Sequence, residues 1–225
     1  MKQTDKLGDM LLEQLSRTYS VVKTDVGQDA HLRKSGFTFD TEVYEIGELG
    51  HLCFLRMKAM LGLMKMETVV LAVKGKDMPL LNLDWVKVPG KETQIVELYD
   101  TQLQPCPEEN LAAYQRLLER DAELQDYVSG GAHWYDGLLY PCSYHKTGKD
   151  VGDRLARAAH DYAVEYLKQL AAASDCDAAA KMAKTREFAE NLLNQGGPAV
   201  DQVTRLFGRE TTERLILRHM YGVEE

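Results

Sequence analysis

The chain is poor in the residues and motifs that usually announce a function. Its 225 residues hold four cysteines, Cys53, Cys106, Cys142 and Cys176, and no two have CxxC spacing. A zinc or iron–sulfur cradle is therefore not expected, and the thiols read as reduced, in a cytoplasm. The histidines are equally scattered, and no two stand at i,i+4, which removes HExxH metal chemistry. No GxGxxG, GxxxxGK[ST] or GxSxG occurs, so dinucleotide folds, P-loop enzymes and α/β-hydrolases are disfavoured. No apolar run reaches the roughly 18–20 residues of a membrane span, and Met1 to Asp5 opens no signal-peptide core. Cations are outnumbered, 27 against 35 acids, for a net charge of −8. That argues against coating nucleic acid, although a local basic patch survives the sum.

What is present is a globular composition, 44% hydrophobic and 28% charged. Leu7, Met10, Leu11, Leu15 and Thr18 mark a helical stripe. A linker from Asp25 to Gly36 follows, and then the period changes. Phe37–Ile46, His51–Met60, Lys65–Val73, Pro79–Val88 and Thr93–Thr101 read as strands, joined by short turn-like segments. Such connections are too short for parallel crossovers and predict an antiparallel meander. In Lys65–Val73 one face carries Val69, Leu71 and Val73, and the other Met66, Val70 and Ala72. Both faces therefore expect a cover, and helices must supply it. Helical patterns dominate after residue 107: from Pro107, around Leu155 to Leu170, from an Asp177 cap to Gly196-Gly197-Pro198, and in a final pair through Ile216. Tyr127–Lys149 reads as irregular. Because the sheet needs the later helices, residues 1–225 are expected to form one α/β domain, a three-layer α/β/α sandwich around a central antiparallel sheet.

The informative segment is Asp77-Met78-Pro79-Leu80-Leu81-Asn82-Leu83-Asp84-Trp85-Val86. Alternation puts Leu80, Asn82, Asp84 and Val86 on one face. An acid among apolar neighbours either finds a partner or rises in pKa, and a raised carboxyl can donate a proton near neutrality. The bland alternative is an acid at a strand end, touching water or a lysine. Glu67 sits in phase with Val69 on the preceding strand and is either a partner of Asp84 in a coupled acid pair or a solvated residue at the sheet end.

The Met78–Asp84 strand, followed by Ile95-Val96-Glu97-Leu98-Tyr99-Asp100-Thr101-Gln102-Leu103, resembles the central hairpin of the ferredoxin-dependent bilin reductases. Leu206-Phe207-Gly208-Arg209-Glu210, then Arg214 and an apolar helix, is similar to that family's closing helix pair, and the helix around Ala159–Leu167 also fits. The likeness runs through residues 37–221 in order of elements. It implies an α/β/α sandwich that holds a linear tetrapyrrole between the sheet and the C-terminal helices. Electrons would come singly from reduced ferredoxin or flavodoxin, with no flavin, nicotinamide or metal bound. The related red chlorophyll catabolite reductases use acids in a similar pocket.

On this resemblance Asp84 matches the catalytic aspartate, with Glu67 and Asp150 as further acids. Glu67 falls where the family often has His or Asn. Asp153 is either a helix cap or a second acid near Asp150. Asn82 and Val69 would line the substrate, and His145, Lys146, Arg154 and Arg157 would meet its propionates. An acidic donor needs a local basic rim, and Lys58, Lys65, Lys74, Lys76, Lys87 and Lys91 are concentrated in the strand region. The alternative is a tetrapyrrole carrier without turnover, and a plain interaction protein is a third reading. A monomer or weak dimer is expected, without nucleic-acid or membrane partners.

Overall fold

The computed structural model describes the backbone of residues 5–224 and the side chains from residue 8 onward, so Leu7 of the expected first stripe lies outside the described side chains. The chain opens with α1 (Asp5–Ser16), β1 (Val21–Thr24) and β2 (His31–Lys34). Five long strands follow: β3 (Phe37–Ile46), β4 (Gly50–Ala59), β5 (Met64–Val73), β6 (Leu80–Val88) and β7 (Lys91–Tyr99). Then come α2 (Glu108–Glu119), β8 (Gln125–Asp126), β9 (Tyr144–Gly148), α3 (Gly152–Ala172), α4 (Ala178–Gln195), α5 (Pro198–Phe207) and α6 (Arg209–Glu213). The last of these runs into a π-helical segment, Arg214–Met220. All pairings are antiparallel, in the order β1-β3-β4-β5-β6-β7-β9-β8, with β2 on the other half of β3.

The expected meander is β3 to β7, with ends displaced by one or two residues. Two stretches read as linker and irregular chain are in fact strand-bearing. The Asp25–Gly36 linker contains β2, which closes onto β3 through Ser35 (φ 51) and Gly36 (φ 78). Positive φ at both central residues is the type I′ hairpin turn, whose twist suits antiparallel strands. The Tyr127–Lys149 stretch contains β9, which pairs with β7 across 44 intervening residues of chain. That contact is non-local, so no local pattern signals it.

Alternation along the strands feeds two separate cores. Leu52, Phe54, Val69, Leu71, Leu81, Leu83 and Val96 pack with Leu11 and Leu15 of α1, Tyr114 of α2, and Leu155, Tyr162 and Tyr166 of α3. Cys53, Leu55, Val70, Ala72, Leu80 and Tyr99 pack with Phe188 of α4, Val203 of α5, and Leu215, Ile216 and Tyr221 at the C-terminus. The protein is thus an α/β/α sandwich on a central antiparallel sheet. Asp177 caps α4 as expected, accepting from the amides of Ala179 and Ala180 at 2.9 and 3.1 Å. The C-terminal segment is pinned by buried Asp29, whose carboxylate takes both Arg214 Nε and Nη2 at 3.0 Å and lies 3.1 Å from His219 Nε2. This clamp fixes the segment that carries Tyr221 over the sheet. Among the described residues no helix is long and apolar enough to cross a membrane.

Candidate active site

Register assembles the polar group on the second face. Thr68 stands opposite Asp84, Asp84 opposite Ile95, and Ile95 opposite His145. In the next row Val70 faces Asn82, and Asn82 faces Glu97. Directly opposed residues share a face. Thr68, Asp84, Asn82, Glu97 and His145 therefore converge under α4 and the C-terminal segment, on the side that buries Val70, Leu80 and Tyr99.

Their hydrogen bonds join two carboxylates. The Thr68 hydroxyl donates to Asp84 Oδ1. Asn82 Nδ2 donates to Asp84 Oδ2 at 2.8 Å and to Glu97 Oε2 at 3.2 Å. The Tyr99 hydroxyl donates to Glu97 Oε2 at 2.7 Å, and His145 Nε2 stands 3.4 Å from Glu97 Oε1. Asn82 Oδ1 is buried and has no hydrogen-bond partner among the described residues. A buried acceptor left without a donor costs about 1–3 kcal/mol.

The two acids divide the charge between them. Burial, reinforced by the nearby Glu97 charge, pushes the Asp84 carboxyl up to about 6 against the donors Thr68 and Asn82. Burial pushes Glu97 the same way, but His145, Tyr99 and Asn82 outweigh it and hold Glu97 below its ordinary value. Two carboxylates bridged by one amide cannot both ionise cheaply. Glu97, with Asn82 and Tyr99 donating to it and His145 beside it, keeps the charge, and Asp84 is the partner that holds its proton up to a pH of about 6.

Aromatic rings cover this floor. Tyr99 packs on Phe188 at 4.6 Å and on Tyr135 at 5.9 Å, Phe188 on Tyr221 at 5.6 Å and on Trp134 at 5.4 Å. Burial raises the Tyr221 hydroxyl, and the charges of Asp84 and Glu97 add to that. Burial and the Glu97 charge push Tyr135 up to about 12. A cleft of about 470 Å³ opens at the sheet edge between α2 and β9, lined by Gln115, Glu119, Tyr127, Lys146 and His145. His145 thus borders the cleft on one side and Glu97 on the other. A larger open cleft, about 670 Å³, lies over β1 and β3 near Lys23, Glu42 and Arg56, away from these acids. The chemistry follows the acids rather than the larger volume.

Of the residues expected at the site, the structure brings together Asp84, Asn82 and His145. Glu67 does not pair with Asp84: it stands opposite Trp85, on the other face, with Arg56 Nε 3.7 Å from its Oε1. The period of two makes this a complete reversal, since one residue of register moves a side chain through the sheet. Val69, opposite Leu83, is buried in the α1–α3 core for the same reason. Lys146 also points away, donating to Asp126 Oδ1 at 2.6 Å and to the Leu124 carbonyl at 3.3 Å. Arg154 is engaged by Asp121 and Glu123 on the α3 layer. Arg157 is exposed on α3, Asp153 is exposed in its first turn, and Asp150 is exposed at φ 57 in the turn before it. None of these five lies on the Asp84 face. Glu97 was missed, although the signal was available: like Asp84, it is an acid between apolar residues on a strand, in phase with Ile95 and Tyr99. Among the described residues no group of three or more His, Cys, Asp or Glu could hold a metal ion.

No family model matches the chain, and no curated protein does. Among solved structures it is similar to phytochromobilin synthase from tomato, solved in complex with biliverdin. The TM-score is 0.78 over 97% of this chain and 83% of that one, at 12% sequence identity. At that identity the likeness is one of fold.

Proposed function

We propose that the protein is a bilin reductase: it binds a biliverdin-like linear tetrapyrrole between the Asp84 face and the C-terminal helices and reduces it. The observation that carries this reading is the Asp84 carboxyl, held on the covered face by Thr68 and Asn82 and raised to about 6 by burial beside Glu97. The fold of a biliverdin-bound protein supports it.

Reduction of one double bond takes two electrons and two protons. In this reading the electrons arrive one at a time from reduced ferredoxin or flavodoxin, and the bilin itself holds the unpaired electron, so no resident cofactor is needed. Asp84 gives up its proton as charge develops on the tetrapyrrole. Glu97 stays ionised and keeps that proton on Asp84 until it is needed. The lone Asn82 Oδ1 accepts a pyrrole N–H, and Tyr135, Phe188 and Tyr221 offer stacking surface. The expected cationic partners for the propionates are absent from this face, apart from His145 at its edge.

Biliverdin titration tests the reading. A shifted absorption spectrum, then bleaching on addition of reduced ferredoxin without oxygen, is the expected result. Asp84→Asn should shift the spectrum equally and bleach far more slowly. Binding without bleaching would assign the protein to tetrapyrrole carriage. No spectral change at micromolar biliverdin would end both readings.

A further inference from the structure

His145 reaches two environments. It stands on β9 opposite Ile95 of β7. Its Nε2 is enclosed and lies 3.4 Å from Glu97 Oε1. The side chain is nevertheless 33% exposed, and it lines the cleft of about 470 Å³ between α2 and β9. Nδ1 makes no hydrogen bond to a described residue and is not enclosed, so it meets water there. Around the ring the cleft presents Gln115 and Glu119 of α2, Tyr127, and the Lys146–Asp126 ion pair at 2.6 Å. One nitrogen therefore faces solvent and the other a nearly buried carboxylate. An imidazole so placed can take a proton on one side and release one on the other.

The reduction proposed above consumes two protons, and Asp84 holds one. A tetrapyrrole seated on Asp84 covers both acids from water, so the next proton has to enter from the rim of the face. Once Asp84 has given up its proton, two ionised carboxylates share the site, and each raises the other's affinity for a proton. Asp84 Oδ2 and Glu97 Oε2 bond the same Asn82 nitrogen, at 2.8 and 3.2 Å, a separation that one water molecule can bridge. His145 beside Glu97 Oε1 completes a line from the cleft through Glu97 to Asp84.

We propose that His145 is the proton inlet of this site, a relay residue that carries protons from the α2–β9 cleft to Glu97 and so reloads Asp84 while the tetrapyrrole is bound. The proposal rests on the bilin-reductase reading. The first electron from the carrier and the proton of Asp84 turn the bilin into its neutral radical. Water in the cleft then protonates Nδ1 of His145, Nε2 releases its hydrogen to Glu97, and Glu97 passes it to Asp84. The second electron and this second proton complete the reduced double bond, with the carrier oxidised twice. A half-turn of the imidazole restores its starting tautomer, and a further proton by the same route reloads Asp84 for the next round.

The test compares His145→Gln and His145→Ala with the wild type, using biliverdin and reduced ferredoxin without oxygen. It is run below pH 6, where Asp84 starts protonated. Absorption follows the bilin, and electron paramagnetic resonance follows its radical. Both variants should bind biliverdin as the wild type does and take the first electron at the wild-type rate. The second step should slow by about 10²-fold, so that the radical signal persists. Imidazole in the buffer should restore that step in His145→Ala and leave the wild type unchanged. A second step at the wild-type rate in either variant overturns the relay. Equal slowing of both steps without imidazole rescue also overturns it, because His145 would then act through structure alone. Wild-type protein that binds no biliverdin removes the bilin reading and the relay with it, whereas wild-type protein that bleaches biliverdin no faster than the variants removes the relay alone.

Discussion

The two faces of one sheet are put to different uses. Towards α1–α3 the strands present Leu52, Leu71, Leu81 and Leu98 at 0% exposure. Three of the four buried tyrosine hydroxyls there bond to the framework, Tyr162 to the Cys142 carbonyl at 2.8 Å, Tyr166 to the Pro79 carbonyl at 2.7 Å and Tyr144 to Asp121 at 2.9 Å, while that of Tyr114 has no hydrogen-bond partner among the described residues. Towards α4–α6 the sheet presents two acids, an asparagine with an unpaired oxygen, a histidine and Tyr99. The first face contributes stability, because apolar burial there leaves few polar groups without partners. The second gives some stability up, because it buries a carboxyl that would rather be solvated. An antiparallel strand can serve both ends, since alternate residues never meet.

That contrast can be broken or sharpened by substitution. The largest expected effect is on rate: Asp84→Asn should slow ferredoxin-driven bilin reduction by about 10²–10⁴-fold, the usual worth of a general acid, with biliverdin affinity kept. Single-turnover bleaching measures it, and a wild-type rate would remove Asp84 from the chemistry. On the opposite face Leu71→Ala should cost about 2–5 kcal/mol in urea unfolding and leave the rate per folded molecule unchanged. The third effect concerns stability against pH. Native Asp84 titrates near 6, against an ordinary 3.8, so the folded state holds a proton that the unfolded state releases. This contribution is full at low pH and is lost as pH rises through roughly 4 to 6. Asp84→Asn should therefore gain on the wild type across that window, by about 1–3 kcal/mol. The smallest effect is a displaced profile. Glu97→Gln removes a charge that raises Asp84, so the Asp84 titration, followed by the pH dependence of reduction, should move to lower pH. A shift to higher pH would show that Glu97 acts through structure rather than charge.

Much of the fold was legible because its signals are local. Five strands alternate over nine or ten residues, and the helices carry apolar stripes with recognisable ends at Asp177 and Gly196. Asp84 was legible for the same reason, as an acid on an apolar strand. Its partner was not. The expected partner, Glu67, lies on the preceding strand, but the register puts Thr68 opposite Asp84 and turns Glu67 to the far face. His145 could be named from sequence only as a cation near α3, whereas its place beside Glu97 follows from β9 joining the sheet edge.

The sequence by itself determined the layers, the meander and one acid with reason to titrate abnormally, because periodicity and turn chemistry act over a few residues. Only the tertiary structure decided which residues face each other across the sheet. It set the acid pair as Asp84 and Glu97, and it aligned Lys58, Lys65 and Lys87 in one row. The physical reason is register. A shift of one residue leaves the alternation within each strand intact, yet it exchanges the two faces and every partner across them.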